Sequence, residues 1–238
     1  PPRRRLVRLH RMRRPMRILT SVSAAALVAV GGLAGCTGSD DPVATASGAA
    51  SSASSAPASP SPAASVELPS GSQWATATDS GLRFAVPDTW EPIDAEALAS
   101  GGSNASVDQL LETMGVTREE FVASMQGMEL MVMGPVESRF APNVNVVPNA
   151  LSELPPASNL ASELGSIGAT TGTPSDETTP LGPAILVPYS LTSNELDIKG
   201  RSIVVGGPNG FVTITVSHVD DEKADAVADT LLSTLSAT

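Results

Sequence analysis

The chain has 238 residues, 41% of them apolar, with one cysteine and two histidines, which is enough for one sizeable core. A single cysteine excludes an internal disulfide framework and any Cys-based zinc cluster, and two imidazoles leave little for a His-rich metal site. Eight of the 14 basic residues fall in the first 17 positions, so residues 36–238 carry 25 acids against six bases, a net −19, which repels phosphate backbones and argues against nucleic-acid binding.

The N-terminus has the layout of an export signal: a basic region ending at Arg17, then Ile18 to Gly35 with Thr20, Ser21 and Ser23 as its polar members. Such a run nearly crosses a bilayer core, so a membrane-spanning anchor is the rival reading. Its composition of Ala, Gly, Val and Ser, ending in Gly31-Gly32-Leu33-Ala34-Gly35, suits a peptidase cleft better than a permanent span. Residues 1–35 are therefore expected to be a signal peptide, with Met12 or Met16 as the start. Cys36 has no second cysteine and no nearby histidine, so neither metal binding nor redox exchange has a partner there.

From Cys36 to about residue 72 the chain is Ser, Ala, Pro, Gly and Thr with almost nothing large and apolar. Too little surface is available for burial to offset the entropy of ordering, and the composition predicts a disordered tether. Over some 36 residues, flexible-chain scaling gives a reach of about 30–35 Å. Whether its hydroxyls carry O-linked sugar or stay bare is open.

Patterned sequence begins near Gln73 and predicts one domain over 73–238. Gly81–Pro87 alternates as a strand does and stops at proline. Ser106-Val107-Asp108-Gln109 and Thr117-Arg118-Glu119-Glu120 have the form of capping boxes, opening helices on Leu110, Leu111 and Met114 and on Phe121, Val122 and Met125, closed by Gly115 and Gly127. Leu130–Met133 reads as a central strand and Asn143–Val147 as a strand with one wet face. A short helix is expected over 158–168 on Leu160, Leu164 and Ile167, then strands over Ala184–Tyr189, Glu195–Val205 and Phe211–Ser217. Asn209-Gly210 reads as the positive-φ pair of a tight hairpin joining the last two. The final helix buries Ala224, Val227, Ala228, Leu231, Leu232 and Leu235, with Asp220-Asp221-Glu222 at its positive end. Short turns between neighbouring strands imply an α+β fold: a mainly antiparallel sheet flanked by helices.

Two regions resemble known families. Leu33-Ala34-Gly35-Cys36 resembles the lipobox of bacterial lipoproteins. That resemblance implies cleavage between Gly35 and Cys36, a diacylglycerol on the Cys36 sulfur, an acyl chain such as palmitate on the new Cys36 amine, and lasting attachment through two or three acyl chains. Gly81–Trp90, Phe140–Val146 and the final hairpin with its helix through Leu235 resemble the LpqN/LpqT-type actinobacterial lipoproteins, which are similar to the PsbP-like α/β/α sandwich. The resemblance implies a non-catalytic domain of the cell envelope that binds a partner or ligand.

Other candidates are weighed on their chemistry. Five of seven methionines lie between Met114 and Met133; packing is the first reading, and an apolar pocket lined by Met114, Met125, Met131 and Met133 the second. Trp74 and Trp90 flank the first strand and either lock a domain edge or line a ligand mouth. His218 with Asp220 suggests a catalytic pair, but no nucleophile turn accompanies it. Gly206–Gly210 lacks the Lys-Ser/Thr ending of a phosphate loop, and the acids at 220–222 lack the alternation of a calcium loop. No cofactor, metal or catalytic residue is assigned. The expectation is a lipid-anchored lipoprotein on the extracytoplasmic face of the plasma membrane, contacting an envelope protein or cell-wall partner; the alternative is a carrier of an apolar ligand in a Met-lined cavity.

Overall fold

The computed structural model describes residues 66–238, Asn194 excepted. The expected signal peptide, Cys36 and the tether through residue 65 lie outside the described residues, as does the side chain of Met114.

Strands β1 (Ser72–Ala77) and β2 (Leu82–Pro87) pair in antiparallel fashion, Ala75 opposite Phe84. The chain then passes through β3 (Glu91–Pro92) into three short helices: α1 (Ala95–Ala99), α2 (Ala105–Met114) and α3 (Arg118–Ser124). The capping box at α3 forms as expected: the Thr117 hydroxyl accepts from the Glu120 amide and the Glu120 carboxylate accepts from the Thr117 amide. At α2 the cap is Asn104, not Ser106; its side-chain oxygen accepts from the Val107 amide, so the helix begins two residues earlier. Gly115 closes α2 at a φ of 67°, a conformation that favours glycine.

There follow β4 (Leu130–Met133), β5 (Asn143–Asn149), α4 (Ala157–Ser166), β6 (Thr170–Thr171), β7 (Ser175–Thr179), β8 (Gly182–Ser193), β9 (Leu196–Gly207), β10 (Gly210–His218), α5 (Asp221–Thr234) and β11 (Ser236–Ala237). The strands form two sheets, β1-β2-β11 and β3-β4-β5-β10-β9-β8-β6, with β7 on the free flank of β8. Every described pairing is antiparallel. The architecture is α+β with antiparallel sheets flanked by helices.

Alternation along the strands sorts the large sheet into two faces. One carries Val144, Val146, Leu186, Ile203, Val205, Val212, Ile214 and Val216, packed against Phe84, Val86 and the α5 stripe Val227, Ala228, Leu231, Leu232 and Leu235 in the main core. The other meets α1–α3 over Met131 and Met133, and α4 over Ile185, Val187, Tyr189 and Val204. Each fully buried Leu, Ile, Val or Phe contributes about 1.5–3 kcal/mol.

Several local expectations change. Leu130–Met133 is not central: only two-residue β3 separates β4 from the edge. Asn143–Val147 has no wet face, since Asn143 and Asn145 are buried beneath the helix layer. Ile167 caps α4 and is exposed, while Leu160 and Leu164 carry the packing. The β9–β10 turn pairs Gly207 with Gly210, leaving Pro208-Asn209 at its centre. Proline's fixed negative φ sets this turn, and the positive φ, 130°, falls on Gly210.

Candidate functional site

Of the residues grouped from sequence as one pocket, Met125, Met131, Met133, Trp74 and Trp90 do not converge on a single cavity. Met125, Met131 and Met133 pack with Phe121, Leu110 and Val107 in the cluster under α1–α3, on the sheet face away from Trp74. Trp90 is buried in the main core, close against Gly134, where an added Cβ would lie 2.6 Å from its indole nitrogen. It locks the edge; Trp74, half-buried, lines a cleft.

His218 ends β10, 4% exposed, and its Nδ1 accepts the Asp220 amide at 2.9 Å. Burial, reinforced by the Lys223 charge, lowers its pKa. An Nδ1 already occupied by a backbone N–H is not free to be oriented by a carboxylate, so the His218–Asp220 pair lacks the geometry of a catalytic dyad. Asp220 instead caps α5, accepting from the Lys223 amide. Among the described residues no group of three or more His, Cys, Asp and Glu is placed to hold a metal ion.

The cleft lies where the two sheets part. It has a volume of about 270 Å³ and is lined by Gln73, Trp74, Ala75, Thr76, Val86, Pro92, Leu130 and Val132. Two polar clamps frame it. At one end the Gln73 amide donates to the carbonyls of Pro87, Asp88 and Trp90, tying the start of β1 to the loop before β3. At the other, the Glu129 carboxylate accepts from both the amide and the hydroxyl of Ser80, tying the β1–β2 turn to the start of β4.

One wall of the cleft is a strand edge. Among the described residues β1 pairs with β2 only. The bond from the Asp88 amide to the Gly71 carbonyl sets the phase of that ladder, so Gln73, Ala75 and Ala77 bond inward and the peptide groups of Trp74 and Thr76 point outward. On the rim, the Arg83 guanidinium lies 4.7 Å from the Trp74 ring centroid, held by a bond from Nε to the Ser236 hydroxyl at 3.1 Å. Arg83 has no carboxylate partner among the described residues, whereas Arg118, Lys199 and Lys223 each pair with one and Arg201 with two. The site thus combines an apolar floor, outward peptide groups and one cation.

No family model matches the chain, and no curated protein matches it. Among solved structures it is similar to cyanobacterial PsbP (CyanoP) from Synechocystis, at 14% identity over 71% of this chain and 94% of that one, with a TM-score of 0.44. It is also similar to LpqN of Mycobacterium tuberculosis, described as involved in cell envelope biogenesis, at 10% identity over 66% of this chain and 83% of that one, with a TM-score of 0.36.

A second cleft of about 260 Å³ lies beside β6, lined in part by Thr170, Thr171, Ser190 and Lys199. Arg201 in its wall is already held by Asp221 at 2.8 Å, Asp225 at 2.5 Å and the Gly200 carbonyl at 2.9 Å. This arrangement ties α5 to β9 and leaves the guanidinium little capacity for a ligand. The Trp74 cleft was reached from sequence only through Trp74 itself. Gln73, Ser80, Arg83 and Glu129 carry no local signal, because their hydrogen-bond partners lie 14 to 153 positions away.

Proposed function

We propose that this protein is a lipid-anchored cell-envelope lipoprotein whose folded part is a non-catalytic binding module held outside the plasma membrane. The observation that carries the reading is Leu33-Ala34-Gly35-Cys36, placed behind a basic region and an apolar run and ahead of a Ser/Ala/Pro-rich stretch. Acylation of Cys36 would supply the two or more chains that stable attachment needs. Binding without chemistry is supported by the occupied Nδ1 of His218 and by a cleft lined mainly by apolar side chains. An envelope partner is compatible with the stated role of LpqN in its own cell envelope.

The test is expression of the full chain in a bacterial host, with detergent-phase partitioning and mass spectrometry of the mature N-terminus. The wild type is expected in the detergent phase with a diacylglycerol mass on Cys36, and Cys36→Ser in the aqueous phase or retained as precursor. Mature Cys36→Ser protein that still enters detergent overturns the anchor. The carrier alternative with a Met-lined cavity loses its lining, since Met125, Met131 and Met133 are packed into the core; an apolar ligand would have to use the Trp74 cleft.

A further inference from the structure

We propose that the outer edge of β1 is a docking site for an extended peptide segment of a partner protein, which adds as a strand and carries an acidic residue to Arg83. The proposal deepens the binding-module reading by naming its surface and the chemistry of its partner.

Three features meet there. The peptide groups of Trp74 and Thr76 point away from β2, offering two donors and two acceptors in the spacing of a strand ladder. Sequence-independent affinity in strand addition comes from such groups, and selectivity comes from pockets for alternate side chains. The pocket is present beside that edge: about 270 Å³ over Leu130, Val132 and Val86, large enough for one bulky apolar side chain. Arg83 sets the charge. It is fixed over the Trp74 ring, bonded to Ser236 and without a carboxylate among the described residues, in a chain whose residues 36–238 carry 25 acids against six bases. A partner segment is therefore selected for a carboxylate near Arg83 against the repulsion of the rest of the surface. The two clamps keep the edge and pocket at fixed separation, so little ordering is needed on this side of the complex.

The probes are two capped decapeptides that alternate Val, Leu or Phe with Thr. One carries a Glu at the sixth position and the other a Gln. They are titrated into the full chain in detergent micelles and read by backbone hydrogen exchange and by tryptophan fluorescence. The Glu peptide is expected to bind at least tenfold more tightly than the Gln peptide and to slow exchange at the Trp74 and Thr76 amides. Arg83→Gln should erase the difference between them. Thr76→Pro, which removes an outward N–H from an edge strand, should lose at least tenfold for both. If Thr76→Pro fails to fold, protection of the Trp74 and Thr76 amides in the unaltered protein decides the matter. No binding at millimolar peptide, equal binding of the two peptides, or binding without protection of those amides overturns the proposal. So does saturation by laurate that is insensitive to Thr76→Pro, which would assign the cleft to an acyl chain. Each of these results is independent of whether Cys36 is acylated, so failure here leaves the anchor reading standing, and the reverse.

Discussion

Replacing Thr215 with valine should make this protein more stable. Thr215 sits mid-strand in β10, 1% exposed, opposite Asn145 of β5 and Ser202 of β9. These three form a row across the sheet face, between the methionine cluster and the α4 cluster. The Asn145 Oδ1, Ser202 Oγ and Thr215 Oγ1 atoms are buried with no hydrogen-bond partner among the described residues. A buried hydroxyl in that condition has lost its hydration without replacement, at a cost of about 1–3 kcal/mol. Valine keeps the shape, removes the desolvated group and adds apolar contact, so Thr215→Val should gain about 1–2 kcal/mol. For a folded unit the size of residues 66–238, that raises Tm by roughly 2–8 °C. Urea titration gives the free energy and calorimetry the Tm. Thr234→Val is the control with opposite sign, since the Thr234 hydroxyl accepts the Ala85 amide at 2.9 Å and donates to the Thr230 carbonyl at 2.6 Å. It should cost about 1–3 kcal/mol. A Thr215→Val variant that is less stable than wild type refutes the reasoning, because the hydroxyl would then be shown to hold a partner such as a bridging water.

Gly200→Ala should be among the most damaging single changes, at about 3 kcal/mol or more, because its Cβ would lie 2.0 Å from Cζ of Tyr189, whose ring covers that position. Tyr189→Leu in the same chain should restore part of the loss in a urea titration, and no recovery would refute the clash. His218 makes stability pH-dependent. Its folded pKa is depressed below 6.5 by burial, then by Lys223, so the unfolded chain binds the proton more readily. The stabilising contribution is complete above about 6.5 and lost as pH falls below it. The urea midpoint should fall from pH 7.5 to pH 5, and His218→Asn should flatten that slope. Arg201→Met should cost about 2 kcal/mol by releasing the first turn of α5, leaving two solvated aspartates behind. Faster amide exchange confined to that turn would check it.

What the sequence discloses here is whatever rests on neighbours in the chain. The Thr117–Glu120 box and the α5 stripe were legible because partners lie three or four positions apart. β1 gave no such signal: its inward residues Ala75 and Ala77 are small, buried because another sheet approaches closely. β7, Ser-Asp-Glu-Thr-Thr, has no apolar alternation and is held as a strand by the backbone of β8. The alternation at Asn143 and Asn145 implies a wet face, because nothing local reveals that these side chains are buried by residues from elsewhere in the chain. The Trp74 cleft is framed by the ties that Gln73 and Glu129 make, contacts that periodicity cannot encode.

The position of β11 has a consequence for how the chain acquires this fold. β2 receives its second neighbour from Ser236 and Ala237, through pairing with Arg83 and Leu82, and the main core receives Leu231, Leu232 and Leu235 from the same end. A chain emerging from the ribosome therefore carries β2 without its second neighbour, and the main core without its α5 stripe, until residues 231–237 have appeared. Closing a contact across that much polymer is slow. The late arrival of α5 and β11 leaves both the small sheet and the main core incomplete until those residues are made.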